Sequence, residues 1–365
     1  MADTVINTTD ALTRKRWAKD LFKVLQKAFE FNNLIGTGEN AIIQLKTELG
    51  KGEGDEITFG ILLDLVGAGT IGRDTLQGKA ESLKFRDFKL KIEKIRKSVD
   101  IGTDIDAQRV PYNLMERGKM GLQNWWAGLL SDYMFHILAG NSQMKDELPQ
   151  LGGIAFGADP VEPDADHLMI VGDRATESAL TPADTVTLEF LDSVKQRAEI
   201  PSKTDVGFKI RPMMIGGKPT FRVILHNFVF DDLRRNTNVG EWGDFMRAAQ
   251  KMQDPTVEIL YNGMMISKSE RIYTRLAIGS GKGRAYRNLF LGAQAAVVGW
   301  GGAGDSKSSV MSFHVEKLDH GAKTEVSGGG ILGMAKTRFQ KGGSSPDHGD
   351  YGVITFPSFG QPISG

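Results

Sequence analysis

Residues 62 to 72 read "LLDLVGAGTIG", an apolar run opening straight into G-x-G-x-x-G. In a doubly wound α/β domain that pattern is the turn holding a dinucleotide's pyrophosphate. It needs a strand before it, a packed helix opening at its third glycine, and an acid some 20 residues on. The strand is credible, because Ile57, Phe59, Ile61, Leu63 and Leu65 alternate with Thr58, Gly60, Leu62, Asp64 and Val66. Asp87 even lies 20 residues beyond Gly67. The helix is what fails. Residues 73 to 82, "RDTLQGKAES", are polar on every face, carry Gly78 in their middle and have only Leu76 to bury. A helix that must pack on a sheet cannot be made from them.

Another extended run follows, "SLKFRDFKLKIEKIRKSVDIG". Phe88, Leu90 and Ile92 alternate with Lys89, Lys91 and Glu93, and after a phase change Ile95, Val99 and Ile101 continue. One continuous strand from Ser82 to Gly102 would reach roughly 65 Å at ~3.3 Å per residue. Ordinary strands have about 3 to 10 residues. Two long strands around a glycine-rich tip predict a hairpin arm that outreaches its own domain. The plainer alternative is a hairpin lying on its own core.

Two helices flank this hairpin. Upstream, "ALTRKRWAKDLFKVLQKAFEF" places Trp17, Leu21, Leu25 and Phe29 on one face, with Asp10 to start the helix. Arg14, Lys15, Arg16, Lys19, Lys23 and Lys27 fill the other face, either a solvated surface or an arm that docks on a neighbour or faces phosphate. Downstream, Leu114, Gly118, Leu122, Trp125, Leu129, Tyr133 and Ile137 form one stripe. Asp104 or Asp106 can cap this helix, Pro111 suits its first turn, and Gly140-Asn141 ends it. From Pro111 to Ala139 it would span about 43 Å. Gly118, Gly121 and Gly128 each weaken it by about 1 kcal/mol relative to Ala, which predicts another backbone close by.

The remainder alternates types. "TLEFLDSVKQRAE" reads as a helix, "FRVILHNFVF" and "TVEILYNGMMIS" as strands, and "NLFLGAQAAVVGWG" as either. "VSGGGILGMAKTRF" and "YGVITFPSF" return to strands and turns. The class is α+β, without a βαβ rhythm or an internal repeat.

Little in the chain points to catalysis. The histidines (His136, His167, His226, His314, His320 and His348) are scattered and lack metal-ligand spacing. "DPVEPDADH", residues 159 to 167, lacks the EF-hand order and glycine, so a solvated loop is the expectation. "GSGKGR", residues 279 to 284, departs from a P-loop: no glycine sits five residues before Gly281, and Lys282 precedes Gly. There is no cysteine for a disulfide, thiolate ligand or nucleophile. Lys plus Arg equals Asp plus Glu at 45 each, which argues against a protein gripping nucleic acid over its whole surface. "MADTVINTTD" does not read as a signal peptide, and no apolar run approaches a membrane span, so a soluble cytoplasmic chain is expected. No cofactor, metal or catalytic residue is called for.

The order of these elements closely resembles the major capsid proteins of tailed phages, in the subfamily of podoviruses and related prophages. The resemblance runs through nearly the whole chain, from "GDEITFGILLDLVGAGTIG" and "DIDAQRVPYNLMERGKMGLQNWWA" to "YNGMMISKSERI", "NLFLGAQAAVVGWG" and "YGVITFPS". It implies an HK97-like fold divided into an N-terminal arm (1–49), an E-loop hairpin (50–102), a P-domain spine helix (103–144), an A-domain (145–285), P-domain strands (286–340) and a C-terminal return (341–365). On this basis Gly67, Gly69, Gly72, Arg73, Leu76 and Lys79 are expected at the tip of the E-loop, where neighbouring copies touch. Arg14, Arg16, Trp17 and Lys23 are expected to face a neighbour or DNA. Leu114, Leu122, Trp125 and Leu129 are expected to pack the spine helix. The implied function is self-assembly into pentamers and hexamers of an icosahedral head enclosing double-stranded DNA without sequence specificity, formed in the host cytoplasm. Implied partners are further copies and the portal, with scaffold or cement proteins left open and no membrane. The alternatives are a cytosolic nucleotide-binding enzyme using Gly67, Gly69 and Gly72, or a ring-forming phage component other than the coat.

Overall fold

The computed structural model describes residues 29–46, 56–62, 69–82, 85–148, 150, 157, 159–200, 209–237, 239–250, 256–278, 283–302, 311–340 and 348–360. The basic helix expected near the N-terminus, with Arg14, Arg16, Trp17 and Lys23, lies outside these residues, as does Gly67.

Along the chain, β1 (Ile35–Gly36) and β2 (Ile43–Lys46) precede the hairpin strands β3 (Glu56–Leu62) and β4 (Phe85–Lys91). After a break at Ile92 come β5 (Glu93–Thr103), α1 (Asp104–Arg109), α2 (Leu114–Leu138) and α3 (Met144–Glu147). Then follow α4 (Leu188–Glu199), β6 (Met213–Ile215), β7 (Lys218–His226), α5 (Asn227–Asn236) and α6 (Val239–Gln250). The strands β8 (Ile259–Tyr261), β9 (Met264–Ser269), β10 (Thr274–Ile278), β11 (Gly283–Leu291) and β12 (Ala296–Trp300) come next. The last are β13 (Met311–Leu318), β14 (Lys323–Lys336), β15 (Arg338–Gln340), β16 (His348–Asp350) and β17 (Val353–Phe359).

Among the described residues two larger sheets form. In one, β14 is the axis: β5 runs antiparallel along one edge from Lys323 to Leu332, and β13 and then β12 occupy the other. Strands β2 and β1 extend it beyond β12. In the other, the order is β10-β11-β7-β9-β8, with β17 pairing along β11 and β6 on β7. A cut at 285/286 would therefore run through β11, and residues 353 to 359 belong to the same sheet rather than to a separate return.

Helix α2 lies against the first sheet, where Leu122 packs with Phe313, Val315 and Val326. It spans 25 residues, about 37 Å, and starts later than expected. Pro111 disfavours helical backbone at Val110, which is extended (φ −115°, ψ 140°), so Asp104–Arg109 is a separate short helix capped by Thr103 and Asp106. Asn113 then caps α2, its side-chain oxygen accepting from Met115 N (3.0 Å) and Glu116 N (3.4 Å). Gly140 (φ +66°) ends it in a Schellman motif, with Asn141 N donating to His136 O (2.9 Å) and Gly140 N to Ile137 O (3.0 Å). The expected stripe holds at Gly118, Leu122, Leu129, Tyr133 and Ile137, which are buried, whereas Leu114 and Trp125 are half-buried. From Trp126 onward burial spreads round most of the helix, because the core of the second sheet closes over it. Among the described residues nothing comes within 4 Å of a Cβ added at Gly121, so they supply no close backbone there.

Several boundaries move for local reasons. "FRVILHNFVF" is strand only to His226, whose ring nitrogen caps α5 and starts a helix at Asn227. "TVEILYNGMMIS" is not one strand but the β8–β9 hairpin, turning at Asn262 (φ +43°) and Gly263 (φ +73°), the Asn-Gly pair suited to a type I′ turn. The 21-residue strand expected from Ser82 to Gly102 is broken at Ile92, where the chain leaves the arm and joins the β14 sheet. The phase change in the hydrophobic pattern marks that switch.

Candidate assembly surfaces

The hairpin has a fixed base and an unburied tip. Strands β3 and β4 pair from Glu56↔Lys91 to Leu62↔Phe85. Ile57, Phe59 and Leu90 turn one face onto Val297 and Ala335 of the first sheet. The arm reading and the own-core reading thus each hold in part: the base lies on its own core, and the tip does not. Gly69, Gly72, Arg73, Leu76 and Lys79 are all exposed, Ile71 at 88% and Leu76 at 73%. Its local order comes from turns: Gly72 and Gly78 adopt φ of +73° and +80°, and Lys79 N donates to Leu76 O (3.1 Å). Lys79 also meets Asp74 at 3.4 Å in water, a contact worth little. Described residues 69 to 82 contain no helix, so Gly72 does not open the helix that a pyrophosphate-binding turn requires.

On α2, Leu122 and Leu129 are core residues. Half-buried Trp125 stands edge-on to buried Trp126 (ring centroids 5.3 Å apart), with Lys97 of β5 over its ring at 5.6 Å. Trp125 therefore fastens β5 to the helix.

The acid-rich loop of residues 159 to 167 is not freely solvated. Its carboxylates meet cations from four separate elements: Asp159 with Lys145 (2.7 Å), Glu162 with Arg287 (2.7 Å), Asp164 with Arg338 (3.3 Å) and Asp166 with Arg197 (2.5 Å). It works as a strap across the fold. Arg287, 4% exposed, is its deepest partner: it also holds Glu177 (2.7 Å) and donates to the carbonyls of Ala139 and Gly140 at the end of α2 (3.0 Å each). That joins the helix C-terminus to the second sheet, a placement of positive charge the helix dipole favours. Sequence reading missed these partners, since each pair joins separate elements more than a dozen residues apart.

Two histidines near these joints are held neutral. Burial pushes His136 down to about 4 despite nearby Glu147, and His226, buried and near Arg284, also to about 4. Geometry agrees, because each Nδ1 faces a donor: Asn141 Nδ2 for His136 (2.8 Å) and Phe228 N for His226 (3.2 Å). Protonating Nδ1 would set hydrogen against hydrogen. Above pH 6.5 neither folded nor unfolded histidine holds the extra proton. Between 6.5 and about 4 the unfolded chain binds it first, so stability falls with falling pH by up to about 3 kcal/mol for each histidine. The variant His226→Asn keeps a cap acceptor and removes one titrating group. Urea unfolding of unassembled protein from pH 7.5 to 4.5 should show a shallower acid slope for it. Parallel slopes would mean His226 titrates normally.

Comparison with known proteins identifies what such a chain is for. It matches the family described as phage capsid protein over residues 5–360. It belongs to that family. It is 26% identical over 367 residues to the major capsid protein of Pseudomonas phage KPP25, covering 93% of each sequence. The solved capsid of Ralstonia phage GP4 superposes with a TM-score of 0.81 at 26% identity, covering all of both chains. The capsid asymmetric unit of cyanophage Pam1, at 20% identity and a TM-score of 0.67 over 90% of this chain and 92% of that one, agrees in fold. The α+β architecture is thus the HK97-like capsid fold of tailed phages. The protein functions as a major capsid protein, associating with itself in the shell of the virion.

Proposed function

We propose that this capsid protein closes an icosahedral head of pentamers and hexamers around double-stranded DNA, with each E-loop tip laid on the adjacent copy. The observation that carries the reading is the tip itself. Ile71 and Leu76 stand 88% and 73% exposed on an arm whose base is packed into its own sheet. Burying one such side chain is worth about 1.5–3 kcal/mol, and another copy can supply that at every position of a shell. Each contact joins unlike surfaces, so repetition about an axis closes rings. In this reading α2 and the β14 sheet form the P-domain, and the β11 sheet the A-domain. Arg14, Arg16, Trp17 and Lys23 belong to an N-terminal arm facing a neighbour or DNA.

The zero formal charge suits a container that holds DNA without binding it tightly or reading its sequence. Assembly takes place in the host cytoplasm and the portal fills one vertex, with scaffold or cement proteins left open as further partners. The role is structural, with no reaction assigned. Sedimentation and negative-stain imaging of the expressed chain test it. Shells, or five- and six-membered capsomers, are expected. A small closed dimer or trimer that never grows would overturn the proposal.

A further inference from the structure

Ile92 is where the chain changes sheets. Strand β5 pairs with β14 as far as Glu93↔Leu332, so the next position of β14, Gly333, faces the break. A Cβ built on Gly333 would lie 2.2 Å from the carbonyl oxygen of Lys91 and 3.3 Å from Ile92 Cγ2. The main chain of the elbow therefore crosses directly over this glycine. Two other glycines extend the same floor. A Cβ on Gly299 would meet Ile57 Cδ1 at 2.6 Å and Leu90 Cδ2 at 3.1 Å, and one on Gly301 would meet Ile92 Cδ1 at 3.0 Å. None of the three needs glycine for its backbone angles, since none has a positive φ. Each costs the strand a side chain to pack, and a glycine inside a strand marks a close approach.

We infer that Gly333, supported by Gly299 and Gly301, positions the E-loop: the arm's angle is set within one copy of the chain by a glycine floor that lets its elbow lie flat, before any neighbour is met. At Gly333 the obstacle is backbone, which cannot rotate aside as the end of a side chain can. Restoring ordinary contact there requires the elbow to lift by about 1 Å or more. Strand β4 carries that lift outward: seven residues place the tip roughly 23 Å beyond the elbow, so a tilt of about 10° moves it by about 4 Å. The consequence for assembly rests on the tip meeting a neighbour, as proposed above; the consequence for the arm's angle does not.

The experiment keeps these two separate. The chain has no cysteine, so Ala80→Cys on the exposed tip and Lys317→Cys at the exposed end of β13 give one spin-label pair in unassembled protein. Gly333→Ala should shift or broaden the label-to-label distance by several Å. Gly299→Ala, which meets only side-chain ends, should fold normally and shift it less. Gly240→Ala, on α6 with open space around it, should leave the distance unchanged. Particle yield and diameter are then read for the same variants without labels. A shifted distance with misshapen or unclosed shells supports both ideas. A shifted distance with normal shells keeps the floor and removes the tip's part in closure. An unchanged distance in Gly333→Ala overturns the floor, and if that variant does not fold, an unchanged distance in Gly299→Ala does so.

Discussion

Replacing residues 69 to 80 with an Asn-Gly turn should leave a folded subunit and nearly abolish closed particles. The two outcomes separate because tip and base draw on different contacts. Every described residue from Ile71 to Ser82 is exposed, and the tip's internal bonds are a few turn contacts in water. Removing it costs the isolated chain little, and the shorter loop lowers closure entropy slightly. The base keeps Ile57, Phe59 and Leu90 on Val297 and Ala335. In a shell the same deletion strips Ile71 and Leu76 from every contact at once. Two apolar side chains are worth about 3 kcal/mol or more per interface, a hundredfold or so in each association step. Thermal unfolding of the unassembled variant is expected within a few degrees of the parent, and sedimentation should show free subunits or capsomers. Normal heads would sink the arm reading. An unfolded chain would mean the tip packs on its own core.

Periodicity made the hairpin and the spine legible. Alternation fixed the faces of β3 and β4, so that Ile57, Phe59 and Leu90 could be placed on the buried side before any fold was in view. The stripe through Gly118, Leu122 and Leu129 did the same for α2. What alternation could not show was the change of sheet at Ile92: both stretches are extended, and only a change of phase records the crossing. The floor was readable in principle, since "VVGWGG" and "ILGMA" set glycines inside apolar strands with no turn around them. The capping of α2 was misjudged because Asp106 does cap a helix, but the short one ahead of Pro111. The strap was out of reach. "DPVEPDADH" shows its acids plainly, yet its partners Lys145, Arg197, Arg287 and Arg338 come from elements that meet only in three dimensions.

The second large effect is expected at the strap's far end, from Asp350→Ala. Lys336 Nζ lies 2.7 Å from Asp350 Oδ2, with the two side chains 3% and 1% exposed. Burial pushes Lys336 down from the ordinary lysine range, and Asp350 opposes that by favouring the charged ammonium. Arg338 reaches the other oxygen of Asp350 at 2.9 Å and Asp164 at 3.3 Å, while Asp350 N donates to Asp164 Oδ2 at 2.8 Å. One carboxylate therefore faces two cations where β14, β15, β16 and the strap converge. Truncating it leaves an ammonium in a site with almost no water, a loss of about 3–5 kcal/mol, which is a large share of the roughly 5–15 kcal/mol typical of a folded domain. Restoring the balance without the charge is the discriminating step. Lys336→Met added to Asp350→Ala removes the stranded ammonium, and buried pairs replaced by apolar groups of similar size are often near neutral. Arg338 retains Asp164. Denaturant midpoints of the unassembled protein should thus fall sharply in the single variant and recover in large part in the double. Equal losses in both would show that packing around Asp350, rather than the uncompensated charge, holds this corner together.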